Sequence, residues 1–401
     1  MKKKFKPGLL LQIIIAIATG IAAGYFMPVG IARIFATFNV IFSQFLQFLV
    51  PLIIVGFVTP AIADIGNKAG KVLVATALIA YAATFCSGIL SYFTGVLTFP
   101  SLITPRSLDA PAGSGVIATP FFTIEIPAMF GVMTALVLAF MLGIGIAYSK
   151  GDVLRNAATE FRDIVAKTIH STIIPLLPVY IFGIFLSMTM AGEVGGIIAA
   201  FLKIIVIIFA LAAVLLIIQY CIAALFVKRN PFKLLYTMLP AYFTALGTQS
   251  SAATIPVTLR QTVKMGVSED IAGFVIPLCA TIHMSGSTLK IVACALALMM
   301  MHGMPYDFSM FAGFIAMLGI TIIAAPGVPG GAIMASLGLL ASILGFTEKD
   351  QALMIALYIA MDSFGTACNV TGDGFIALII DKYFGKRSPE EAELDEELIG
   401  K

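Results

Sequence analysis

Charge is scarce in this sequence. Of 401 residues, 11% are Asp, Glu, Lys or Arg, against about 25% in a soluble domain, and the mean hydropathy is +1.04, which excludes an ordinary soluble fold. Histidine is almost as rare: three residues leave little room for a histidine-based metal centre. The five cysteines, Cys86, Cys221, Cys279, Cys294 and Cys368, sit inside apolar runs without metal-ligand spacing, so they are packing residues, not a disulfide framework. The net charge of +3 is small, and no basic stripe is present for a nucleic-acid partner.

What is there instead is oil in long runs. A span needs about 20 apolar residues, and runs of that kind cover roughly 8–28, 38–63, 71–98, 126–148, 164–191, 196–227, 268–301 and 350–383. The first follows Lys2, Lys3, Lys4 and Lys6 and is longer than the apolar core of a signal peptide, so it is expected to be retained as a helix. A Pro-, Gly- and Ser-containing loop, about 99–125, separates the third run from the fourth. The chain closes on an acidic, solvated tail, residues 384–401.

Two segments fit no simple span. Residues 239–259, LPAYFTALGTQSSAATIPVTL, are apolar at both ends and polar in the middle. Residues 309–345 are too long for one crossing, and PGVPGG cuts them into two short arms. Non-helical backbone at membrane depth survives where it is buried in protein or lines a cavity. Both segments are therefore expected to be re-entrant helical hairpins; kinked spanning helices are the alternative. The basic residues agree: Lys68 and Lys71, then Lys150, Arg155, Arg162 and Lys167, then Lys228, Arg229 and Lys233, and finally Lys382, Lys386 and Arg387 all fall on one side, with the N-terminus, if both hairpins re-enter. That side is the cytoplasmic one, which puts both termini inside a plasma (inner) membrane. The fold class expected is all-α and integral to the membrane, with eight spanning helices and two hairpins.

Polar residues converge on these interruptions. The first hairpin carries Gln249, Ser250, Ser251 and Thr254; the seventh run carries CATIHMSGSTLK, 279–290; the second hairpin carries Gly327–Gly331. The last run carries MDSFGTACNVTGDGF, in which Asp362, Thr366, Asn369 and Asp373 are spaced i, i+4, i+7 and i+11, one face of a helix. A carboxylate at bilayer depth costs a few kcal/mol and marks a functional site with a partner. Matched interruptions in two halves point to the substrate site of a secondary transporter. An intramembrane aspartyl protease is disfavoured, because Asp362 and Asp373 are about 16 Å apart along one helix and cannot share a proton. A passive channel is a further alternative.

SSAATIP (250–256), ATIHMSG (280–286), GVPGGAIM (327–334) and NVTGD (369–373) together resemble the dicarboxylate/amino acid:cation symporter family, which includes the glutamate transporters, over nearly the whole chain. The resemblance implies an elevator fold working as a homotrimer in lipid. Residues 1–70 and 126–195 would form the scaffold, and 71–98 with 196–383 the moving transport domain. It implies substrate contacts from Ser250, Ser251, Ser287, Val328, Gly330, Thr366 and Asn369, with Asp362 taking an α-amino group. It implies one Na⁺ at Asp373 with the carbonyls of Cys279, His283 and Asn369, and another at Thr281, Met284 and the second hairpin. Such oxygen-rich sets suit a hard cation.

Departures from the family pattern narrow the expectation. Acidic-substrate members carry an arginine where this chain has Gly365, and some relatives carry one where it has Gln249. DSFGTACN is closer to the serine/threonine branch, so a small neutral amino acid such as serine, threonine or alanine is expected. An acidic amino acid or C4-dicarboxylate carrier, with Lys290 or His283 as anion partner, is the alternative. A third family Na⁺ site keeps Tyr81 and Thr84 but has Phe85, His283 and Ser285 where its other ligands stand, so one or two Na⁺ are expected. His283 and Lys290, seven residues apart, are expected to share a face of the seventh helix. They are candidates for a coupling cation, with H⁺ as a possible partner through His283, or else packing and ion-pair residues.

Overall fold

The computed structural model describes residues 8–67, 70–103, 118–192, 194–323 and 330–385. Among these residues all regular structure is helical. The expected contacts of Val328, the lysines before residue 8 and the acidic tail lie outside the described residues.

The amino-terminal half contains α1 (Leu9–Gly24), α2 (Val29–Asn67), α3 (Lys71–Thr98), α4 (Val132–Tyr148), α5 (Val153–Thr168), α6 (Ile174–Met190) and α7 (Val194–Val227). α3 coincides with the run marked by hydropathy. α2 does not: it begins nine residues before the expected start, because Arg33 and Thr37 lower the hydropathy without breaking the helix. Arg33 is accommodated by donating through Nε to Thr119 O at 3.0 Å and by lying over the Phe121 ring at 4.2 Å. α5 likewise extends before the expected span; it is amphipathic and charged on its outer face, and one π turn, Ile169–Ile173, joins it to α6.

The carboxy-terminal half is a series of broken helices. α8 (Pro231–Thr248) and α9 (Ser251–Lys264) pack against each other across a two-residue turn. Asn230 starts α8 by accepting from the amides of Phe232 and Lys233, with Pro231 in the first turn. Gln249 ends it in the left-handed region, φ 53°, and Ser250 caps α9 by accepting from Ala253 N. α12 (Phe308–Ile323) and α13 (Gly331–Leu344) form a second contacting pair. Arms of 14 to 18 residues extend about 21–27 Å, less than a hydrocarbon core of about 30 Å.

Two expected continuous helices are interrupted. The seventh is split into α10 (Glu269–Ile282) and α11 (Ser285–Met301), with His283 and Met284 out of helical conformation. The eighth is split into α14 (Glu348–Ala360) and α15 (Asp362–Phe384) at Met361. A reciprocal capping box starts α14: Asp350 N–H donates to Thr347 Oγ1, and Thr347 N–H donates to Asp350 Oδ2.

Among the described residues, six helical runs, Val29–Ala63, Lys71–Ser101, Val153–Met190, Phe201–Val227, Glu269–Met301 and Asp362–Phe384, are long and apolar enough to cross a membrane; α1, α4, α12 and α13 are shorter and apolar. The helices pack in two sets. α1, α2, α4, α5 and α6 contact one another, while α3 and α7 gather with α8–α11 and α15. α12, α13 and α14 touch both sets, and α6 also meets α7. Leu78, Leu97, Val137, Met141, Leu202 and Val206 face outward, an apolar exterior suited to hydrocarbon. α11 is buried along its whole length, so its polar residues must find their partners inside the protein.

Candidate functional site

The break in the seventh helix is held by its neighbours. Met284 N–H donates to Thr84 Oγ1 at 3.2 Å, and Ser87 Oγ donates to Ser285 O at 2.8 Å. The free first-turn amides of α11 point at α15: Gly286 and Ser287 donate to Asn369 Oδ1 at 2.8 and 3.3 Å. Asn369 thus caps a helix to which it does not belong. Its Nδ2 donates to Ser287 Oγ at 3.1 Å, which also accepts from Tyr358 OH at 3.0 Å. The approach is close because Gly286 has no side chain; a methyl there would lie 2.6 Å from Gly365 O.

Around this crossing lies a cavity of ≈ 70 Å³. Gln249, Ser250, Ser251 and Ala252 of the first hairpin tip line one side, and Asp362, Thr366 and Asn369 of α15 another. Ala280, Thr281, Met284 and Ser287 come from α10, the break and α11, Tyr358 from α14 and Ala332 from α13. The tip is tied to α15 by Gln249 Nε2, which donates to Ser363 Oγ at 2.9 Å. Among the described residues, Asp362 is the single charged side chain in the lining.

Asp362 already has partners. Its Oδ1 is 3.4 Å from Lys290 Nζ, and its Oδ2 accepts from Gly330 N–H at 2.9 Å. Lys290 Nζ also donates to Met361 O at 3.3 Å and sits 3.8 Å from the Tyr358 ring centroid. Asp373, three turns along α15, pairs with His283: Nδ1 to Oδ1 is 3.0 Å, with both side chains buried. His283 Nε2 and Gln219 Oε1 find no partner among the described residues. His283 and Lys290 therefore do not share the face that a continuous helix would give them. The break at 283–284 separates them, and each meets a different carboxylate of α15.

Of the residues singled out from the sequence, Ser250, Ser251, Ser287, Asp362, Thr366 and Asn369 surround the cavity, as do Thr281 and Met284. Gly330 reaches it through Asp362. Cys279, His283 and Asp373 lie away from the lining; Cys279 O accepts from His283 N–H at the end of α10. Thr84 is spent on the Met284 amide, and Tyr81 OH donates to Ala316 O at 3.1 Å. Tyr358 and Ser363 escaped the sequence reading. The one available signal was their place on the polar side of the α14–α15 bend, which the continuous-helix expectation hid.

Residues 9–383 match the family described as the sodium:dicarboxylate symporter family. Among individual relatives, the chain is similar to the serine/threonine transporter SstT of Acinetobacter baumannii (strain AYE), 26% identical over 93% of this chain and 96% of the relative. It is also similar to the neutral amino acid transporter B(0) of Rattus norvegicus, 29% identical over 170 residues, a stretch that spans 42% of this chain and 30% of that protein.

Proposed function

Because the chain belongs to the sodium:dicarboxylate symporter family, we propose that its cavity carries a small neutral amino acid, serine or threonine first, across the membrane together with Na⁺. Membership makes it a transporter and not an enzyme, a cation-coupled carrier of an amino acid or dicarboxylate. The observation that carries the finer reading is the lining itself: among the described residues it has one carboxylate, Asp362, no arginine, hydroxyl or amide groups as its other polar side chains, and three alanines with Met284 as its apolar ones. A carboxylate in a buried site calls for a cationic partner, which the α-amino group supplies. The substrate carboxylate would lie toward Ser251, Thr366 and Asn369, where the N-terminus of α9 favours an anion. The name of SstT as a serine/threonine transporter supports the same substrate class.

Na⁺ is a transported partner in this reading. Asp373 with carbonyls of Cys279, His283 and Asn369 would take one ion, and Thr281 with Met284 a second. An ion at Asp373 would compete with the His283 imidazole for the same carboxylate, which would couple occupancy to the helix break. Cation and amine neutralise carboxylates that would otherwise oppose movement through lipid. The two packing sets support a division of labour in an elevator: residues 1–70 and 126–195 as scaffold, 71–98 and 196–383 as the moving part. The working assembly would be a homotrimer in a plasma membrane with cytoplasmic termini.

A dicarboxylate or acidic amino acid is a second reading, favoured by Lys290 lying behind Asp362 as a cation in reach of the cavity wall. Uptake of labelled serine and of labelled succinate into proteoliposomes under a Na⁺ gradient separates the two. Serine uptake that disappears in Asp362→Asn is expected. Undiminished serine uptake by that variant, or succinate uptake by the wild-type protein in its place, refutes the amine assignment.

A further inference from the structure

Lys290 is a lysine buried to 2% exposure on a helix without an exposed residue, and neither substrate nor Na⁺ requires it in the reading above. Its route to Asp362 is prepared from the other side. A methyl on Gly365 would lie 2.3 Å from both Cε and Nζ of Lys290, so the ammonium passes through a notch in α15 that any side chain would close. Beyond the notch it meets three groups: Asp362 Oδ1 at 3.4 Å, Met361 O at 3.3 Å and the Tyr358 ring at 3.8 Å. A charge-assisted contact at full strength is about 2.7–2.9 Å long. The Asp362 contact is longer, while the carbonyl and the ring face provide a second resting place for the same cation.

The head group of lysine and the amine of an amino acid are the same chemical group, a primary ammonium. We propose that Lys290 is a tethered stand-in for the substrate amine: it holds Asp362 when the cavity is empty and yields that carboxylate when substrate arrives. This rests on the assignment of Asp362 as the amine site. On displacement the ammonium stays on Met361 O and the Tyr358 ring. The carboxylate is then never without a cation, and the unloaded transport domain can return across the membrane without a bare charge. That return step is what distinguishes net uptake from exchange, since exchange uses the loaded domain in both directions.

The test is the ratio of the two fluxes, with labelled serine as the probe in proteoliposomes of full-length protein. In Lys290→Met, net Na⁺-driven uptake is expected to fall about tenfold or more relative to serine–serine exchange, because the empty domain must now carry an uncompensated carboxylate. Gly365→Ala keeps the lysine but pushes it from its notch, and the same shift in ratio is expected. It also serves should Lys290→Met fail to fold. A ratio equal to that of the wild type in a variant that elutes from size exclusion as the wild type does, whether both fluxes fall or both persist, makes Lys290 a structural residue and overturns the proposal. Absence of neutral amino acid exchange by the wild-type protein would instead bring down the amine assignment, and this proposal with it.

Discussion

Replacing either member of the Lys290–Asp362 pair strands the other inside the protein, and the cost can be worked from the geometry. At 3.4 Å and an effective dielectric of about 20, the attraction is about 5 kcal/mol. Desolvation costs several kcal/mol per ion and offsets much of it, so the pair as a whole adds little to stability. A single replacement removes the attraction and keeps the other ion's desolvation. Asp362→Asn and Lys290→Met are each expected to destabilise by about 3–5 kcal/mol. The double variant removes both charges and should cost well under the sum, a coupling of about 3 kcal/mol or more. The chain has no tryptophan, so unfolding of the detergent-purified protein is best followed with a thiol-reactive fluorophore. Cys279, Cys294 and Cys368 are buried and become reactive only on opening, whereas exposed Cys86 and partly buried Cys221 set the baseline. Additive losses in the double variant, or a Lys290→Met that melts within the error of the wild type, would show that these groups do not interact as described.

Two further outcomes follow from the same site. Asn369→Ala orphans the amides of Gly286 and Ser287, at about 1–3 kcal/mol each, so it should lower the melting temperature and abolish serine uptake; a variant that melts and transports normally would mean that α11 has another cap. Asp373→Asn leaves His283 without its carboxylate and is expected to raise the Na⁺ concentration for half-maximal uptake about tenfold or more; an unchanged Na⁺ dependence would move the coupling site elsewhere.

The polar face of α15 was open to sequence reading because the four residues lie on one uninterrupted helix, where spacing alone sets direction. The first hairpin tip was equally open, since Gly247, Thr248, Gln249 and Ser250 interrupt an apolar run with turn and cap chemistry. The break at His283–Met284 was not. No proline stands there; Pro277 lies inside α10. The helix stops because Thr84 takes the Met284 amide and Asn369 takes those of Gly286 and Ser287, from helices about 200 and 83 residues away in sequence. Spacing along an unbroken helix puts His283 and Lys290 on one face and hides the separate carboxylates that they meet. The start of α2 was hidden for a different reason, because hydropathy measures the oil around a helix and not its length.

The sequence by itself determined the solvent. Transfer of each residue into lipid is a local quantity that sums along the chain, so scarcity of charge and runs of apolar residues suffice to place this protein in a membrane. They also locate the few acids that need partners there. Which partner each acid takes was decided by tertiary structure alone. A hydrogen bond or ion pair acts over about 3 Å, and only tertiary packing against α15, of α11 through Gly286 and Gly365 and of the break before it through Gly372, brings Lys290 to Asp362 and His283 to Asp373.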